Sequence, residues 1–207
     1  MAEGKLYPIS LAKKIGIDTP FYFVSNDLNE IKKSCNPDKK YIIKMLSDTA
    51  LAKQHGQYMH VPNLNEYEAL YTNDFDYQLI LNKDIDETPM LIQEKINGNF
   101  EWRVVVVDEK IYASKLTLTG EAIDSRLIDK RLESKSTLNL NIQSKILELC
   151  KKLNLRFSTF DFIECNSKYY LIDINPSGNW LWQTLEPINL PIIDGLVQSI
   201  TENKFTT

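Results

Sequence analysis

Asp173 and Asn175 stand two residues apart at the end of the apolar run Tyr169-Tyr170-Leu171-Ile172, just before a break at Pro176, Ser177 and Gly178. Side chains two apart on a strand leave the same face. A carboxylate and a carboxamide therefore offer oxygen donors from one surface, at a strand end released by the proline and the glycine. Hard cations such as magnesium take oxygen ligands in octahedral geometry, commonly one or two carboxylates together with substrate phosphates. The preceding run, "RFSTFDFIE", supplies a third candidate, Asp161, set among Phe157, Phe160 and Phe162. A charge there is costly unless it is paired or metal-bound. Register decides whether the three meet. A connection spanning 166–168 sets 161 opposite 173, whereas a two-residue turn sets 161 opposite 172 and sends the acids to opposite faces. A shared metal thus requires an odd-length connection or a bulge. The plainer alternative is that Asp161 ends a strand and that Asp173 and Asn175 merely start a turn.

Four cations accompany these donors. In "YIIKMLS", alternation puts Lys44 on the face of Ile42 and Leu46; Arg103 alternates with Val105 and Val107; Lys115 ends the partner strand, and Arg126 follows in "DSR". A lone lysine on an apolar strand face usually snorkels or guards an edge. Four cations with three oxygen ligands instead suggest a polyphosphate clamp, which neutralises charge during phosphoryl transfer. There is no Walker-type glycine loop and no GxGxxG, which excludes P-loop and dinucleotide-binding readings. The two histidines, His55 and His60, lie five apart and fit neither a Ser-His-Asp nor a Cys-His arrangement.

The elements that must position these groups are legible in part. The chain has 207 residues, 43% hydrophobic and 25% charged, with net charge −4 and an isoelectric point near 5.3. That is room for one large domain or two small lobes, and no overall positive field draws in nucleic acid. Cys35, Cys150 and Cys165 are too scattered for a disulfide framework or a zinc site, as expected of a reducing cytoplasm. The N-terminal "MAEGKLYPIS" has no apolar core of signal-peptide length, and no apolar run approaches the membrane-spanning length of about 18 residues. Helix is expected over 9–16, strand over 20–24, and helix from an Asn26-Asp27 cap through Cys35, with a turn at 36–38 and strand over 40–46. Residues 47–88 are polar, with a strand expected near 59–61 and a short helix near 66–71. Strand follows at 90–96, a turn at 97–99, then a hairpin of "EWRVVVV" and "KIYASKL" across Asp108-Glu109. Leu138, Ile142, Ile146, Leu149 and Leu153 recur at helical spacing. Two more strands and a closing helix begun by Pro191 complete the chain. The expectation is two α+β lobes, 1–88 and 89–207, not one doubly wound sheet.

The segments "LIQEKINGNFEWRVVVVDEKIYASKL", "LNLRFSTFDFIE" and "YYLIDINPSGNWLW" resemble, in order and spacing, the ATP-grasp ligases. The branch most similar comprises the microviridin-type (graspetide) ribosomal-peptide maturases and the RimK-like glutamate ligases, over about Leu6 to Ile200. The resemblance implies an α+β ATP-grasp fold: two lobes with mostly antiparallel sheets clasping a nucleotide, with the hinge and metal site in the second. It also implies ATP and Mg2+ as cofactors. Carried over residue by residue, Lys44 touches nucleotide phosphates. Gln93, Glu94, Lys95 and Ile96 form the adenine hinge, and Glu101 holds the ribose. Arg103 and Lys115 face phosphates or an acyl phosphate. Arg126 steers the substrate carboxylate, and Asp161, Asp173 and Asn175 bind magnesium. The chemistry implied is ligation: a carboxylate takes the γ-phosphoryl group, and an amine or hydroxyl then displaces phosphate to give an amide or ester. Departures from the family are an Asp at 173 where many members carry Glu, and no glycine-rich loop in "LSDTALAKQHGQY". The resemblance also implies an N-terminal domain of roughly a hundred residues ahead of this stretch, where the sequence opens almost directly at "LYPISLAKKIGI".

The expectation is a cytoplasmic peptide maturase linking Asp or Glu side chains of a ribosomal precursor peptide. A separate N-terminal domain or partner subunit, or a second copy of the chain, is a candidate partner; nucleic acid and membrane are not. Two alternatives stand beside it. One is a non-catalytic nucleotide- or peptide-binding module. The other is a RimK-like ligase that adds amino acids to a protein or small acceptor.

Overall fold

The computed structural model describes residues 4–44, 46, 73–76, 89–118 and 132–202. In chain order these form α1 (Leu6–Lys14), β1 (Tyr22–Ser25), α2 (Leu28–Ser34), β2 (Tyr41–Lys44), β3 (Asn73–Phe75), β4 (Met90–Glu94), β5 (Phe100–Val107), β6 (Lys110–Thr117) and β7 (Glu133–Ser136). A helix, α3 (Leu140–Leu153), then precedes β8 (Phe157–Cys165) and β9 (Lys168–Asn175). A 3₁₀ turn (Leu181–Thr184) and α4 (Ile192–Thr201) follow. The fold is α+β, with two antiparallel sheets ordered β1-β4-β2-β3 and β7-β6-β5-β8-β9. The strands expected near 59–61 and the helix near 66–71 lie outside the described residues, as do His55, His60 and Arg126.

Contacts divide the chain into two compact units, Pro20–Lys95 and the combination of Met1–Thr19 with Ile96–Thr207. This grouping differs from a cut at residue 88: α1 goes with the later strands, and β4 goes with the earlier ones. The reason for β4 is its pairing on both edges, with β1 (Phe23↔Ile92) and with β2 (Ile43↔Ile92).

In the smaller unit, α2 starts where Asp27, rather than Asn26, accepts hydrogen bonds from the Asn29 and Glu30 amides at 2.7 and 3.1 Å, the usual role of an Asp N-cap. The helix buries Ile31 against one face of the four-stranded sheet, with Cys35, Tyr41, Phe75 and Ile92. Lys44, Leu91 and Gln93 leave the opposite face, because side chains alternate along each strand.

In the larger unit, α3 is capped by Asn139, which accepts from the Ile142 amide at 2.9 Å, and ends at Asn154 in the left-handed conformation (φ 54°). Its periodic face, Ile142, Ile146 and Leu149, packs with Ala12 of α1 onto Trp102, Val104, Val106, Phe160, Phe162 and Leu171. The other face carries a second apolar cluster, Val105 and Val107 beneath Ile188, Leu190 and Ile192. Both faces are thus covered along half of β5, which is why Val104 to Val107 are all buried and read as a continuous apolar run. Fully burying each such side chain contributes about 1.5–3 kcal/mol. The remaining half of that second face, at the Arg103 end, holds the polar groups.

Three features depart from the sequence expectation. α1 begins at Leu6, three residues early. β3 and β7 arise in stretches that read as polar connections. The 3₁₀ turn at Leu181–Thr184 had no sequence signature of periodicity. Each is too short to show a pattern. The three cysteines are free thiols, and no described helix is long and apolar enough to cross a membrane.

Candidate functional site

The β8–β9 hairpin settles the register. Its turn has two residues, Asn166 and Ser167, both with positive φ (50° and 62°), the geometry of a tight hairpin turn. Cys165 pairs with Lys168 and Phe162 with Leu171, so an unbroken ladder would set Asp161 against Ile172. Instead the register shifts between Asp161 and Phe162, and Asp161 pairs with Asp173 and Thr159 with Asn175. The extra residue, Ile172, is a β-bulge, and bulges commonly re-aim side chains near sites. Asp161, Asp173 and Asn175 consequently share one face, as the metal reading demands.

Arg103 joins them. β5 pairs Arg103 with Asp161, and the guanidinium Nη1 donates to Asp161 Oδ1 in an ion pair whose side chains are only 23% and 18% exposed. The arginine Cζ lies 5.1 Å from the centre of the Trp182 ring. Glu101, two residues before Arg103 on β5, lies on the same face by alternation. Asp173 is half-buried and has no hydrogen-bond or ion-pair partner among the described residues. Asn175 Oδ1 accepts from the Ser177 amide (2.9 Å) and hydroxyl (3.3 Å), which orients the carboxamide and starts the turn. Gly178 is required here, since a Cβ would run into the Thr159 side chain. The donor set fits a hard divalent cation: two carboxylates, one of them unpartnered, and an amide oxygen on one face. Among the described residues no group of three or more His, Cys, Asp and Glu has a metal-binding arrangement, so the carboxamide is a needed part of the set.

Lys115 does not join this face. The two-residue turn at Asp108-Glu109 pairs Arg103 with Ser114 and Trp102 with Lys115. Lys115 therefore points to the α3 side, where Nζ sits 2.9 Å from Glu164 and 3.6 Å from the centre of the Phe100 ring. The hairpin parity carried this information in the sequence. Ser114, by contrast, was missed and lies on the Arg103 face. Its hydroxyl donates to Glu133 of β7, and it accepts from Gln183 Nε2 at 2.7 Å. Gln183 and Trp182 were missed too. The signal available was two tryptophans and a glutamine within six residues of Gly178.

The smaller unit carries the remaining candidates. Gln93 pairs with Ile42, is 1% exposed, and has no partner for either side-chain amide atom among the described residues. Lys44 lies on the same face and is buried. A buried carboxamide with neither atom satisfied is rare in folded proteins. Glu94 pairs with Lys39 at 2.8 Å, and Lys95 with Asp74 at 2.9 Å. The Glu94 and Lys95 amides donate to Phe21 and Lys40 carbonyls, each at 2.8 Å. Ile96 follows in the loop that opens the larger unit.

No protein-family description matches the chain, and no curated protein matches it. Solved structures do. The macrocyclase MdnC of Microcystis aeruginosa MRC, bound with its precursor peptide MdnA, superposes with TM-score 0.75 at 22% identity, over 98% of this chain and 61% of its own. A Chryseobacterium gregarium RiPP-associated ATP-grasp ligase, in complex with ADP and a leader and core peptide, gives TM-score 0.78 at 24% identity, over 94% of this chain and 58% of its own. The D-alanine–D-alanine ligase of Bacillus anthracis gives 0.60 at 14% identity, over 97% of this chain. The chain thus spans about three fifths of the length of the first two. The similarity expected from the sequence holds at the level of architecture: this chain has the ATP-grasp fold, shared with a peptide macrocyclase and a RiPP-associated ligase.

Proposed function

We propose that this chain provides the ATP- and Mg2+-dependent core of a carboxylate ligase that works through an acyl phosphate on a ribosomal precursor peptide. The carrying observation is the bulge at Ile172, which brings Asp161, Asp173 and Asn175 to one face beside Arg103. A ladder has no structural need for a bulge that gathers two carboxylates. In this reading Asp161, Asp173 and Asn175 hold magnesium, which would neutralise phosphate charge and orient the triphosphate when bound. Arg103, an always-charged fork donor, faces the phosphoryl group and the acyl phosphate. Glu101 holds the ribose hydroxyls. Lys44 contacts phosphates as a point charge, and the backbone of Lys95 and Ile96 reads adenine, with Glu94 as a polar contact. The Gln93 amide, without a partner among the described residues, supports a ligand against that sheet face. Arg126 in "DSR" steers the substrate carboxylate. Lys115 has no place in this scheme, because it leaves the opposite face of its sheet.

MdnC and the Chryseobacterium gregarium ligase were both solved with peptides bound, which favours a peptide carboxylate over a free amino acid. The product would be an amide or ester linking Asp or Glu to Lys, Ser or Thr, in a cytoplasmic setting. The test is phosphate release from Mg-ATP by the purified chain with a synthetic acidic peptide bearing Lys and Thr. Peptide-dependent release that is lost in Asp173→Asn, with loss of one water from the peptide mass, is expected. Addition of residues to the acceptor would point to the RimK-like alternative. Nucleotide binding without phosphate release would point to a binding module.

A further inference from the structure

The segment that follows the Asn175 turn carries two adjacent side chains whose contacts converge on Arg103. Trp182 places its ring 5.1 Å from the Arg103 guanidinium carbon, within the roughly 6 Å range of a cation–π contact. The ring is itself held. Its Nε1–H donates to Glu133 Oε2 at 3.4 Å, and Glu133 is fixed by the Ser114 hydroxyl. Gln183, completely buried, donates from Nε2 to Ser114 Oγ at 2.7 Å and to the Arg103 carbonyl at 3.2 Å. The Leu190 amide donates to the Gln183 carbonyl at 2.8 Å, tying the 3₁₀ turn to the chain beyond it. The tether to Glu133 sets the ring beside a guanidinium whose side chain has four rotatable bonds and is otherwise held by its ion pair with Asp161.

We infer that Trp182 is a positioning residue for Arg103: its ring, tethered through Nε1 to Glu133, helps the Asp161 ion pair keep the guanidinium aimed along the Asp161–Asp173 face. The inference rests on the proposed function only for what Arg103 does once aimed; the aiming itself is a separate claim. Arg103 then presents its fork toward the oxygens beside the carboxylates without an ordering cost at each turnover. A leucine at 182 would fill space and leave the guanidinium held by its ion pair with Asp161 alone.

The protein has four arginines, Arg103, Arg126, Arg131 and Arg156, so the side-chain Nε–Hε region of a 15N spectrum is simple. Arg103→Lys identifies the signal by deleting it. In the native protein that signal should be displaced by the indole ring. It should remain displaced in Trp182→Phe, which keeps a ring, and should lose the ring displacement in Trp182→Leu, where the Asp161 ion pair remains. An unchanged signal in Trp182→Leu overturns the inference. In the phosphate-release assay, Trp182→Leu should lower kcat about tenfold with KM for ATP unchanged, Trp182→Phe should recover most of it, and the leucine change should have no effect in an Arg103→Met background. Additive losses overturn the inference as well. If the native chain releases no phosphate, the proposed function fails alone, and the arginine spectrum still decides the role of Trp182.

Discussion

Alanine at Gly178 tests whether the turn after Asn175 is set by close packing on Thr159. A Cβ built there lies against the Thr159 side chain, including the stiff Cβ at 2.9 Å, and Thr159 sits fully buried opposite Asn175. The chain cannot relieve the clash by rotating a long side chain, because threonine has only one rotor and its hydroxyl lies 3.3 Å from the Asn175 carbonyl. Overpacking of this kind costs about 1–3 kcal/mol. Replacing glycine by alanine recovers about 0.4–1 kcal/mol through the unfolded chain. The net loss is about 1–2 kcal/mol, a fall in Tm of about 5 °C for a chain of this size. Scanning calorimetry on Gly178→Ala, Thr159→Ala and the double variant gives the coupling. Trimming Thr159 removes the hydroxyl and methyl that clash, so the double variant should be more stable than the sum of the singles by about 1 kcal/mol. A Gly178→Ala protein as stable as the native one, or strictly additive singles, would refute the packing explanation.

Gln93→Leu removes a buried amide with no partner among the described residues, so thermal stability without nucleotide should rise by about 1 kcal/mol or more, while the stabilisation given by added ATP should shrink; a lower Tm without ATP contradicts this. Lys115→Met should lower Tm by about 3 °C through lost contacts to Phe100 and Glu164 and leave phosphate release unchanged, so a lost activity would return Lys115 to the site. Asp108 is held below its ordinary value of 3.8 chiefly by the hydrogen bond from Arg156, with smaller help from Ser199 and Lys110. A lowered folded value means its contribution is present above pH 3.8 and fades as pH falls through the folded value. Asp108→Asn should therefore cost about 2 °C or less in Tm at pH 7, because the pair is exposed, and progressively less as pH falls below 3.8; a cost independent of pH would show that charge is not involved.

Much of the fold was legible because it rests on long periodic segments. The helical repeat from Leu138 to Leu153 and the hairpin across Asp108-Glu109 both stand where pattern put them. The site was legible in its residue types but not in its register. Nothing local to Ile172 marks it as a bulge, since the extra residue is decided by pairing with β8 and not by β9 alone. Conversely, the face of Lys115 was readable: a two-residue turn fixes the parity of every pair in its hairpin, and that parity sends Lys115 away from Arg103. β7 escaped notice because an edge strand of four polar residues, "ESKS", has no apolar alternation to read, and Glu133 was lost with it. Gln183 escaped for the opposite reason. A glutamine is ordinarily a surface residue, and its burial follows from packing that no short window of sequence contains.

The central claim is that Asp161, Asp173 and Asn175 together hold a divalent ion at a nucleotide. Manganese, a spectroscopic substitute for magnesium, makes this direct: electron paramagnetic resonance counts free Mn2+ in the presence of protein and ATP. One tight Mn2+–ATP site is expected in the native chain. Affinity should be at least tenfold weaker in Asp161→Asn and Asp173→Asn and largely kept in Asp173→Glu. Equal Mn2+–ATP affinity in the native chain and in Asp173→Asn would contradict the account.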